Sequence, residues 1–259
     1  MRVNHWPHTV AHCLRPAGAA LATVALVCGL CSSAGCRMVS QGRNVDGVRY
    51  FQQGQYPVAI QRFDAALTID PKNADTYYNK AAVYHRMGLA NRDQNVLTQA
   101  ESLYNQCLDL NPNHVDCHRG LAVLLTETGR VPEAFKLLQG WTTLNPSNAD
   151  ARVELARLYE EYGDPARADA ALNEALAVNS RNWRAHAALG RLKEQSGNLP
   201  QALQNYQTAY SLNRFQPELQ QRIASLQSRV GPTQPGSSPL ASPLAGTRSA
   251  SSPAPYRRY

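Results

Sequence analysis

Small and bulky apolar positions return along this chain in a fixed order. A small residue at Gly47, Ala81, Ala122, Ala156 and Gly190 is followed by an alanine at Ala59, Ala100, Ala134, Ala168 and Ala202. Four residues after each alanine comes a bulky residue: Phe63, Tyr104, Leu138, Leu172 and Tyr206. The alanines lie 41, 34, 34 and 34 residues apart. Around them apolar residues recur three and four positions apart, the spacing of one helix face. Gly54, Gly88, Gly129, Gly163 and Gly197 read as loops between paired helices, and Pro71, Pro112 and Pro146 as stops after the second helix. The pattern predicts five helical hairpins, over 40–73, 74–114, 115–148, 149–182 and 183–216. A small residue opposite a large one lets two helices approach and interdigitate. A single hairpin has too little to pack against, so the units must stack.

This repeat resembles the tetratricopeptide repeat family, over residues 40–216. The resemblance implies an all-α, right-handed superhelix of about five helix–turn–helix units. Three features depart from the pattern. Ser180 and Arg214 stand where a closing proline is expected, and Trp141 occupies the position of Ala66, Ala175 and Ala209. The third unit must therefore repack around an indole. The second unit is seven residues longer, within "LANRDQNVLTQA". Seven residues are nearly two helical turns, so the insertion predicts a second helix projecting about two turns beyond its neighbours.

Beyond the repeats, "PELQQRIASLQSRV" over 217–230 reads as one more helix, with Leu219, Ile223 and Leu226 on an apolar stripe and a polar back. Such a cap keeps the end of a repeat array soluble. Residues 231–259 then hold six Pro, six Ser, three Arg and no acid. That composition predicts a disordered basic tail.

The formal charge of +7 changes the picture little. Residues 37–230 carry 21 Lys/Arg against 19 Asp/Glu, and the remaining five arginines lie near the ends of the chain. No basic stripe marks the middle, so no nucleic-acid partner is expected.

The first 36 residues carry Arg2 and Arg15, then an uncharged run from Pro16 to Cys36, with "AGAALATVALVCGLC" continuously small or apolar. These are the parts of a secretory signal. Ser33-Ala34-Gly35-Cys36 resembles the lipidation site of bacterial lipoproteins, with Ser33 in place of the usual leucine. Three readings follow: lipid attachment at Cys36, which is favoured; an uncleaved anchor, since about 20 residues span a bilayer; or release after cleavage. The first two leave the repeats tethered to a membrane through the N-terminus, on the periplasmic side of a bacterial envelope.

Chemistry is sparse. No phosphate loop, nucleophile elbow or metalloprotease helix occurs, so neither an enzyme nor a cofactor is expected. "NHVDCH", holding His114, Asp116, Cys117 and His118, straddles a turn and a helix start. Its side chains fan out, and no metal is expected on it. His118 and His186 share a repeat position, which suggests packing. Two readings stand for Cys107 and Cys117: a disulfide across the turn, if their Cα atoms come within about 7 Å, or two packed thiols.

Function is thus expected to be binding. The resemblance places groove-facing positions on Tyr78, Asn79, His85, Arg119, Arg157 and Arg191, with Glu127, Glu154 and Glu160 among them. It implies a protein or extended peptide segment held in the concave groove. The family's clamp for peptide C-termini is not matched, because Val48, Asp116 and Gly120 replace its basic and amide residues. The expected role is a membrane-tethered scaffold. The alternatives are an assembly factor for a pilus, secretion or outer-membrane complex, and a targeting module of an enzyme system such as glycosyl transfer.

Overall fold

The computed structural model describes residues 38–230. The leader with Cys36 and the tail after 230 lie outside the described residues. Eleven helices follow one another there: α1 (38–52), α2 Tyr56–Ile69, α3 Ala74–Asn91, α4 Gln94–Leu110, α5 Val115–Glu127, α6 Val131–Leu144, α7 Ala149–Glu161, α8 Pro165–Val178, α9 Trp183–Gln195, α10 Leu199–Leu212 and α11 Pro217–Val230. They form five antiparallel hairpins and a final single helix, and no strand occurs among the described residues. No described helix is long and apolar enough to cross a membrane.

The expected small-to-large crossings hold the hairpins together. Ala59, Ala100, Ala134, Ala168 and Ala202 are fully buried, as are Phe63 and Leu138. Space at the crossings is tight. A Cβ added to Gly190 would meet the Tyr206 ring at 2.8 Å, and Gly47 faces the Phe63 ring in the same way. Tyr104 also reaches beyond its own unit, since a Cβ on Gly120 would lie 2.6 Å from its ring. One aromatic therefore fills a notch in the next hairpin, and stacking and pairing share the same side chains.

The insertion is built differently from the expectation. It lengthens both helices of the second hairpin rather than the second alone. α3 has 18 residues where α5, α7 and α9 have 13, and α4 has 17 where α6, α8 and α10 have 14. An insertion at the tip of a hairpin must divide between its antiparallel arms, so each arm gains about one turn. Gly88 is consequently not a loop residue. It lies inside α3 with Leu97 of α4 packed on it. The left-handed turn belongs instead to Arg92 (φ 54°), where the other hairpins use Gly54, Gly129, Gly163 and Gly197 (φ 75–80°).

Proline is not what closes each unit. α8 and α10 end in register with α4 and α6 although Ser180 and Arg214 replace the proline. The recurrent device is an Asp or Asn just past the helix: Asp70, Asn111, Asn145, Asn179 and Asn213 each donate their backbone N–H to the carbonyl four residues back. The side chains of Asp70, Asn111, Asn179 and Asn213 then accept the N–H two residues on, at 3.0–3.3 Å. These Asx turns reverse the chain. The next helix is capped by Asn73, Asn148 or Asn182, and at α5 by His114.

The last helix caps the array as expected. Leu219 and Leu226 are buried against Ala202, Tyr206 and Ala209, with Ile223 partly so. Glu194 accepts hydrogen bonds from the Tyr206 hydroxyl at 3.1 Å, Arg222 at 3.0 Å and Arg229 at 3.4 Å.

Two glycine substitutions separate crossing from propensity. Gly190→Ala is expected to lower stability by about 1–3 kcal/mol through overpacking. Gly140→Ala, inside α6 with nothing within 4 Å of the added carbon, should raise it by about 0.5–1 kcal/mol. Urea unfolding of both variants checks the pair, and equal changes would contradict the packing assignment.

Candidate protein-binding wall

The helices meet neighbours unequally. α3, α5, α7 and α9 touch in sequence, whereas among the described residues consecutive second helices make no comparable contact. Rods that touch along one side and spread along the other form a curved stack. The first helices therefore line its inner wall, and α4, α6, α8 and α10 its outer side.

Every residue expected in the groove lies on a first helix: Tyr78, Asn79 and His85 on α3, Arg119 on α5, Arg157 on α7 and Arg191 on α9. The sequence did not show that most of them hold one another. Asn79 donates to Asn44 of α1 at 3.0 Å. Arg119 donates its Nε–H to both oxygens of Glu154 (3.1 and 3.0 Å) and forms a close Nη2 contact with Oε1. Its Nη1 reaches Asp116 at 3.0 Å. Arg157 donates to Glu154 at 3.2 Å, and Arg191 makes a two-point pair with Glu160 at 2.8 and 2.7 Å. His85 Nε2 lies 2.8 Å from Glu127. Hydrogen bonds thus join α1 to α3, α5 to α7 and α7 to α9, and between α3 and α5 His85 and Glu127 approach each other.

Electrostatics follow from burial. Glu154 is 1% exposed, which only a paired carboxylate tolerates. Burial disfavours the Arg119 charge, but the Glu154 hydrogen bonds and the Glu154 and Asp116 charges outweigh it and push its pKa up. Burial, then Asp116, holds the Tyr78 phenol above its ordinary range. Burial also raises the Glu161 carboxyl, Arg157 opposing and Glu127 reinforcing the shift. Arg86, Glu127 and Glu161 share one repeat position, and Arg86 and Glu161 are exposed.

The "NHVDCH" residues fan out only in part: His114 and Cys117 stay together beside Cys107, against the expectation, while Asp116 and His118 turn away. Asp116 turns to Arg119, and His118 stacks on Trp141 with ring centres 3.9 Å apart. That stack is how the third unit accommodates its indole, whose Nε1–H donates to Asn113 at 3.0 Å. His118 Nε2 bonds the Pro112 carbonyl, as His186 does the Ser180 carbonyl. Burial pushes the His118 pKa down, against the Pro112 bond. Cys107 and Cys117 form a disulfide with Cα atoms 6.5 Å apart. A hollow of about 420 Å³ on the flank of α4, lined by Thr98, Glu101 and Asp109 among others, contains none of the wall residues.

Models of the tetratricopeptide repeat match residues 47–88, 91–143 and 153–217. Protein O-mannosyl-transferase tmtc2 of Xenopus laevis is 33% identical over 84 residues, 32% of this chain and 10% of that protein. PEX5-related protein of Homo sapiens is 28% identical over 96 residues, 37% of this chain and 14% of that one. The chain thus spans only a tenth to a seventh of these relatives. The crystal structure of a thermophilic TPR protein of Thermus thermophilus superposes with TM-score 0.54 at 23% identity, covering 73% of this chain and 99% of that one. That likeness is one of fold.

Arg119→Ala leaves Glu154 buried with Arg157 as its remaining partner. It is expected to destabilise the protein by about 2–4 kcal/mol, somewhat below the figure for a fully buried pair because Arg119 is part-exposed. Adding Glu154→Gln should recover a large share of that loss. A double-mutant cycle by chemical denaturation measures both, and purely additive effects would show that the pair is not coupled.

Proposed function

Because this chain belongs to the tetratricopeptide repeat family, whose members scaffold protein–protein interactions, we propose that it holds a polar protein segment against the wall of α3, α5, α7 and α9 while tethered to a bacterial envelope membrane. The observation that carries the first part is the set of side-chain ties across that wall. Asn79, Arg119 and Arg191 are positioned by Asn44, Glu154 and Glu160, and the Tyr78 ring lies against those of Tyr104 and His114, before any partner arrives. A surface already ordered loses less entropy on binding, and tyrosine and arginine are the side chains on which interfaces concentrate their affinity. A partner reads this wall through its exposed carboxylates, amides and Tyr78, which suits a polar, extended segment better than an apolar helix.

The tether rests on the leader. Its charged start, uncharged run and Cys36 suit lipid attachment on the periplasmic side. A second reading, a binding module within a glycosyl-transfer system, is favoured by one observation, the 84-residue match to an O-mannosyl-transferase.

Two experiments test the reading. With a photocrosslinking residue at Arg86 on the wall, irradiation of intact cells should trap a discrete partner, whereas the same residue at Gln201 on α10 should not. Equal yields from both positions would remove the wall from the interface. Cys36→Ser should shift the protein from the membrane to the soluble fraction or leave the precursor uncleaved. Unchanged processing and unchanged retention would rule out lipid at Cys36.

A further inference from the structure

We propose that Cys107, His114 and Cys117 form a metal site when the two cysteines are reduced, taking a thiophilic d10 cation, Cu(I) or Zn(II). The three ligand atoms lie within 4.8 Å of one another. Both cysteines are fully buried and His114 nearly so. Their Cα separation of 6.5 Å lies toward the wide end of the disulfide range. The sulfurs can therefore separate around an ion with little movement of α4 or α5. Two thiolates and an imidazole are the donors such ions select.

The histidine is already oriented as a ligand. Nε2 lies 2.8 Å from Asp75 Oδ1, the ring stacks on Tyr78, and Nδ1 accepts the Cys117 N–H at 3.2 Å. This is the tautomer with its proton on Nε2, donated to a carboxylate, and its lone pair turned toward the cysteines. Metal-binding histidines are held by such an outer carboxylate. Binding exchanges one capping hydrogen bond for a metal–nitrogen bond.

Internal comparison of the repeats supplies an independent argument. At the position of His114 the other units place Asn73, Asn148 and Asn182, all helix caps. At that of Cys107 they have Ala66, Trp141, Ala175 and Ala209, and at that of Cys117 they have Thr76, Ala151 and Ala185. Asn182, capping α9, also bonds Asp150 of the preceding hairpin, at 3.0 Å, so an amide suffices for capping and for the carboxylate contact. What the histidine adds is a nitrogen that can ligate a metal. All three departures fall at one turn and converge on one point.

In the oxidised chain the sulfurs bond each other and cannot ligate. A phosphine reductant opens the site: the phosphine takes oxygen from water to become the phosphine oxide, and the disulfide takes two electrons and two protons to give two thiols. Metal binding then releases the two thiol protons. With three buried donors the cluster satisfies Cu(I) as it stands, whereas Zn(II) needs a fourth ligand from solvent on the His114 side.

The test uses the full chain with Cys13, Cys28, Cys31 and Cys36 changed to Ser, reduced anaerobically and freed of phosphine. Cu(I) is titrated against a cuprous chelator, and Zn(II) against a zinc indicator. One ion per chain is expected, with a higher melting temperature. The controls Cys107→Ala, Cys117→Ala and His114→Asn install residues that other units of this chain use, so the fold is retained. Either cysteine change should abolish binding. His114→Asn should weaken it at least about 10-fold, and Asp75→Asn about 10- to 100-fold. Neither metal binding, binding untouched by His114→Asn, or a reduced chain that stays unfolded with metal added would each overturn the proposal.

Discussion

Everything in this molecule depends on the fit of one large side chain into a notch left by a small one. A two-helix unit buries too little apolar surface to persist alone. The chain answers by placing glycine or alanine where helices cross and an aromatic or leucine opposite. Because Tyr104 packs against both its own unit and Gly120 of the next, hairpin formation and stacking are one event. Any residue larger than the notch allows would push apart a joint that two units share.

The fold was legible for the same reason. Crossings repeat in phase, and a repeated signal survives local exceptions. What the sequence concealed were features that depend on the partner across a joint. Gly88 looks like a loop glycine because its distance from Gly54 equals the period. The added residues, however, split between two arms, and Arg92 takes the turn. Pro71, Pro112 and Pro146 stand out by type, yet the Asx turns at Asp70, Asn111, Asn179 and Asn213 recur with equal regularity and operate where proline is missing. Their spacing is readable in the sequence, but a proline is the louder signal.

The wall was half legible. Its residues fall on the expected helices, but arginines and glutamates at unrelated repeat positions give no sign of pairing across units. Arg119 and Glu154 are 35 residues apart, and only the stack brings them together. The Cys107–His114–Cys117 cluster is hidden for a related reason. "NHVDCH" draws the eye as a contiguous string, whereas the converging set takes one member from the preceding helix.

The inequality between inner and outer contacts gives the array a mechanical character. Ionic and amide ties run along the inner rib, while the outer helices stand apart, so the stack resembles a strip jointed on one side. Bending is its soft mode, and the Arg119–Glu154 and Arg191–Glu160 rungs reinforce joints that the packing of each second helix on the next first helix already closes. Exposed pairs weaken with salt, and buried ones much less. The half-exposed Arg191 rung therefore yields before the one anchored on Glu154, and the curvature relaxes first toward the cap.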